Sequence, residues 1–256
     1  MKNKQTKYLT LILQIIISII IISIVLFSFS KTYNSSNRNM LNVFVYLPIL
    51  IQEIAYLFMA YQLHQLPDVN KEIANRLLHT NLLFLALDGI VILPFSHQFG
   101  FMFILSPIVV GKIHMFCSMA SVLLFLLGGL HSNEVGSKRY KVNTVFMLTL
   151  TLLIVYFQPT QSPTVNQPYL AINPSAGFVT LLIIVSVLAI ISYLPSYWKD
   201  RSYHNLIRII SFSVLIFSTT CLRNYYTLPL PVTIIALILL VTSISMYVIN
   251  IKSYTI

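Results

Sequence analysis

Residues 15 to 22 read IIISIIII, and this run restricts the fold more than any other feature of the chain. On a helix it places isoleucine on every face. On a strand it lacks the period-two alternation of a membrane barrel, whose strands run about ten residues. A segment that is apolar all round belongs inside a protein or inside a bilayer. In a bilayer the backbone has no water to bond, so the segment satisfies itself as a helix.

Similar stretches recur along the whole chain. A spanning helix needs about 20 predominantly apolar residues. The segments that meet this length within tolerance are 8–29, 41–62, 77–95, 111–130, 143–158, 175–194, 206–222 and 230–250. The expected fold is therefore all-α: a polytopic transmembrane bundle of eight spans, with seven as the alternative and no soluble domain. Composition agrees. Of the 256 residues, 57% are hydrophobic and only 9% charged, whereas a soluble domain carries roughly 25% charged residues. This excludes a soluble enzyme, a nucleic-acid-binding domain and a disordered chain, and leaves little polar sequence for an ATPase module.

Two segments need separate treatment. Lys2, Lys4 and Lys7 precede the first apolar run as in a secretory signal, but the run is long and no small-residue cleavage site follows. It is read as an uncleaved first helix. The stretch 101–130 is too long for one span and too short for two. Pro107 and Gly111 interrupt it, so 101–110 is expected to be re-entrant or interfacial, with the span starting near Gly111.

Basic residues give an orientation. With the N-terminus inside and eight spans, the inner segments hold Lys2, Lys4, Lys7, Lys71, Arg76, Lys138, Arg139, Lys141, Lys199, Arg201, Arg208 and Lys252. The outer ones hold Lys31, Arg38 and Arg223, and Lys112 lies near the membrane. Cytoplasmic loops accumulate Lys and Arg, which explains the net charge of +10 without nucleic acid. A cell-membrane location with both termini cytoplasmic follows. Tyr193, Tyr197, Trp198 and Tyr203 cluster at the inner edge, and Tyr156, Tyr169, Tyr225 and Tyr226 at the outer one, as interfacial aromatics do. Segment 159–174 is uncharged and carries four prolines, Pro159, Pro163, Pro168 and Pro174, which keep it out of helix. No span contains GxxxG, so close helix packing by that motif is not expected.

Ionisable groups inside spans are the candidate site, because each is costly there. They are Glu53, Asp88 and Lys112. Helical rise puts Glu53 about 13 Å and Asp88 about 16 Å from the inner ends of consecutive antiparallel spans. At matching depth the two carboxylates are expected to share a buried polar site fit for a proton or a cation, with Gln52 and Asn81 as alternative structural partners. Pro48, one turn outward, leaves a carbonyl without its helical donor. Lys112 is expected to snorkel. His79 and His131 are weak candidates for a haem or a metal, since they fall at similar depth. His114 and Cys117 are only an i, i+3 pair, and there is no HExxH or clustered Cys/His spacing. No cofactor is expected.

Nucleophile elbows, phosphate loops and dinucleotide fingerprints are absent. Two roles follow. The first is a non-enzymatic accessory, regulatory or immunity-type membrane component, whose partners are the lipid bilayer and another membrane protein. The second is a small secondary transporter using the midplane carboxylates.

Overall fold

The computed structural model describes residues 2–34, 40–65, 72–91, 106–132, 138–159, 175–200, 230–252 and most of 206–218. Among them there is no strand. The helices are α1 (Lys2–Asn34), α2 (Met40–Gln65), α3 (Glu72–Leu87), α4 (Pro107–Leu130), α5 (Arg139–Tyr156), α6 (Ala176–Ser192), the short α7 (Leu194–Asp200) and α8 (Leu230–Lys252). A single 3-10 turn, Asp88–Val91, continues α3, and the described residues of 206–218 are also helical.

Helix α3 is central: it packs against α1, α2 and α4. Helix α4 packs in addition against α5 and α6, and α8 lies along α2. The largest core cluster joins Tyr56 and Met59 of α2, Leu78 and Leu82 of α3, Phe125 of α4 and Leu240 of α8. Two helical stretches, Tyr8–Phe27 and Ile108–Leu130, are long and apolar enough to cross a membrane. Ala176–Ser192 and Ile234–Met246 are apolar but shorter.

Several boundaries differ from the sequence reading. Pro107 does not interrupt a helix but begins one. Ser106 is the N-cap, its Oγ accepting from Val109 N at 3.4 Å, and proline suits the first turn because its missing N–H would be unpaired there anyway. Residues 107–110 are thus the first turn of α4, not a separate re-entrant piece, and Gly111 lies within a continuous helix. Segment 101–105 lies outside the described residues. Helix α3 starts earlier than expected, at Glu72, and loses α-helical form at Asp88. Segment 92–95, the end of the expected third span, again lies outside them. Helix α6 stops at Ser192 and the chain resumes helically at Leu194, where Pro195 is tolerated in a first turn.

Close packing does occur, but at a glycine pair rather than a GxxxG. A Cβ on Gly128 would lie 2.6 Å from the Tyr193 hydroxyl, and one on Gly129 would lie 2.9 Å from Cδ2 of the same ring. Without those Cβ atoms, Tyr193 stacks on Phe125 with centroids 4.7 Å apart, and Ser192 Oγ donates to Leu126 O at 3.3 Å. Glycine thereby fixes how the end of α6 sits on α4.

Candidate functional site: a polar seam through the first four helices

Ser18 is the one interruption of the isoleucine run, and it faces inward. It is fully buried and its Oγ donates to Glu53 Oε2 at 3.0 Å. Glu53, 1% exposed, points its other oxygen at Gly89, where a Cβ would come within 2.6 Å of Oε1. The same Cβ would lie 2.9 Å from Ile21 of α1. Gly89 therefore makes room for the carboxylate between α1, α2 and the 3-10 turn.

Asp88, the preceding residue, turns to α4. It is wholly buried. His114 Nδ1 lies 2.5 Å from Asp88 Oδ1, and Ser118 Oγ donates to Oδ2 at 3.1 Å. His114 and Ser118 are i, i+4 and so share a face of α4. Seven residues before Asp88, Asn81 donates from Nδ2 to the Ser121 carbonyl. Ser121 in turn donates to Ser118 O at 2.8 Å. A line of polar groups thus runs along the α3–α4 contact. Hydrogen bonds to a charged partner are worth about 1.5–3 kcal/mol each, and inside a low-dielectric core they offset part of the cost of the buried carboxylate.

The structure brings Glu53 and Asp88 to adjoining positions, since Glu53 lies against Gly89. The described contacts of the two carboxylates point to different helices, Glu53 to α1 and Asp88 to α4. Lys112 lies elsewhere: its Nζ donates to Tyr156 O at 2.8 Å and sits 5.2 Å from the Tyr156 ring centroid. It caps the C-terminus of α5, where a cation also suits the helix dipole. Of the two alternative partners, Asn81 binds α4 as described, and Gln52 is buried with its Nε2 unpartnered among the described residues. Pro48 falls inside α2.

His79 is buried within α3. His131 follows α4 as its C-cap, has Asn143 Nδ2 at 3.5 Å from its Nε2 and meets the Tyr140 ring edge-on. Among the described residues no group of three or more His, Cys, Asp or Glu is arranged to hold a metal ion. Cys117 is buried on α4.

Sequence reasoning missed Ser18 and Ser118, and it noted His114 only as an i, i+3 pair with Cys117. A signal existed for each. Ser18 stands alone in an isoleucine run, and His114 and Ser118 have helical spacing on the apolar segment that must neighbour Asp88. Comparison with known proteins gives no match: no family model fits the chain, and no curated protein or solved structure is significantly similar to it.

Proposed function

We propose that the chain is a multi-pass integral membrane protein of the cell membrane, acting as a small secondary carrier through Glu53 and Asp88. The membrane part rests on one observation: polar groups are buried between the helices while large apolar side chains cover the outside. Its buried positions include Gln14, Ser18, Glu53, Asn81 and Asp88. Its exposed positions include Ile16, Ile20, Phe146, Leu152, Ile183 and Ile238. Apolar patches of such extent are not carried by soluble monomers. Helices α5, α6 and α8 also expose large apolar side chains, although the apolar stretches of α6 and α8 are shorter than a full span. Exposed Tyr156 and Trp198 suit the headgroup level. Eight spans with both termini cytoplasmic is the arrangement that the basic residues favour.

The carrier role is supported by two wholly buried carboxylates on neighbouring elements, each held by a hydroxyl from a different helix. Intramembrane ionisable residues of this kind mark ion and proton paths. The accessory, regulatory or immunity-type role is the second reading. It draws on the rim of α5, where Val142, Val145 and Phe146 are between 64% and 69% exposed and would suit either lipid or a helix of another membrane protein.

Reporter fusions after Lys141 and Arg201 should report the cytoplasm, and one within 159–174 the outside. The same side for Lys141 and Thr164 would remove the α5 span. Purified protein in vesicles should move protons or cations down an imposed gradient, and Glu53→Gln should abolish the flux while leaving the protein folded. Absence of flux in the wild type would retire the carrier role in favour of the accessory one.

A further inference from the structure

We propose that Asp88, His114 and Ser118 form the proton-transfer site of this protein, with His114 as the port through which protons reach the buried carboxylates. The inference rests on the carrier reading and names its coupling ion. The geometry carries it. Asp88 has no exposed side-chain surface, whereas His114 is 28% exposed, so a 2.5 Å contact joins a sealed carboxylate to a ring that reaches the surface. A carboxylate bound to one ring nitrogen fixes the tautomer: Nδ1 carries the hydrogen and Nε2 is left as the base. Ser118 donates to the other carboxylate oxygen and so restrains the carboxylate from turning away from the imidazole. Ser118 is thus a positioning residue.

The transfer balances without a co-reactant. A proton from water binds His114 Nε2. The Nδ1 proton passes to Asp88 Oδ1. The imidazole ends neutral in its other tautomer and Asp88 ends as the neutral acid. Release of the Asp88 proton inward, and return of the ring to its first tautomer, complete the cycle. The inward direction is marked by Glu53, whose Oε1 lies against Gly89, the residue after Asp88. Beyond Glu53 lies Ser18. One turn before Ser18 on α1 is Gln14, fully buried, with neither amide atom partnered among the described residues. Buried amides without a protein partner are usually met by water, which would extend the path past Glu53.

Among the described residues few other ionisable groups surround the pair, Tyr46 of α2 being packed in the cluster that holds Ile21 and Ile90. Glu53 comes from α2, Lys112 and Cys117 from α4 itself, and Tyr156 from α5, where it engages Lys112. His79 lies nine residues back along α3, about 13 Å by helical rise. Helix α6 contributes no ionisable side chain.

The test pairs flux with imidazole nitrogen NMR on purified protein in vesicles. Wild type should acidify an entrapped pH dye under an imposed potential. Asp88→Asn should abolish this, His114→Gln should slow it by at least about tenfold, and Ser118→Ala should slow it less. The His114 signal should show Nδ1–H in the wild type and a mixture of tautomers in Asp88→Asn. Size-exclusion profiles and Trp198 fluorescence check that each variant is folded. Flux that requires sodium and ignores His114→Gln would overturn the inference and leave the carrier reading intact. No flux in the wild type would overturn the inference together with the carrier reading, and an Asp88-dependent tautomer would then mark a structural hydrogen bond only. A tautomer indifferent to Asp88→Asn would overturn the site itself.

Discussion

The seam between α1 and α4 and the rim formed by α5, α6 and α8 are built from similar apolar sequence, yet they treat polarity in opposite ways. Along the seam, polar groups are buried and bonded across helices: Ser18 to Glu53, Ser118 and His114 to Asp88, Asn81 to Ser121. Along the rim, hydroxyls bond mainly within their own helix, with Ser192 at the end of α6 the exception, since it also reaches Leu126 O of α4. Thr144, Thr151, Ser186 and Thr242 each donate to the carbonyl four residues earlier. A hydroxyl that bonds its own backbone specifies no neighbour; one that bonds a carboxylate on another helix does. The seam is therefore where the sequence dictates which helices meet, whereas the rim presents apolar surface without specifying a neighbour.

Substitutions can break this contrast, and the seam should suffer most. Asp88→Leu leaves His114 and Ser118 without their acceptor, and breaking a buried pair costs about 3–5 kcal/mol; denaturation of the purified protein should show it. Gly129→Ala, where the new Cβ would run into Ser192 first and then the Tyr193 ring, should cost about 1–3 kcal/mol by overpacking. Gly177→Ala is the matched rim control. Its Cβ would meet nothing nearer than Ser175 Oγ at 4.0 Å, so it should be neutral or stabilising by up to about 1 kcal/mol. Ser18→Ala should cost about 1–3 kcal/mol, because Glu53 loses a hydroxyl donor. Thr242→Val on the exposed face of α8 should change stability by no more than about 0.5 kcal/mol. A rim variant as damaging as Asp88→Leu would erase the distinction.

How far this was legible in sequence depends on what kind of information each feature needs. Helix existence needs only local composition, so the run at 15–22 announces α1. Helix ends are less legible, because polar residues continue a helix as readily as apolar ones. Helix α1 takes in Lys2 and Asn34, and α3 takes in Glu72. Pro107 was read as a break because proline has two opposite meanings, and only the cap at Ser106 decides between them. Counting residues gives the depth of Glu53 and Asp88 but not their direction. Tightening of the chain at Asp88 into a 3-10 turn sets which way that side chain faces, and a change of helix type is not written in hydropathy. The Gly128–Gly129 pair was visible as residues, but its use needs Tyr193, more than sixty positions away.

In the proposed membrane placement the rim faces lipid while the two carboxylates of the seam are sealed inside. Spin labels placed one at a time at Val145 on α5 and Val187 on α6, in a cysteine-free background in vesicles, decide whether it does. Frequent collisions with oxygen, which dissolves in lipid, and few with a water-soluble nickel chelate are expected. Ready collision with the chelate at both positions would put these apolar faces in water and rule the placement out.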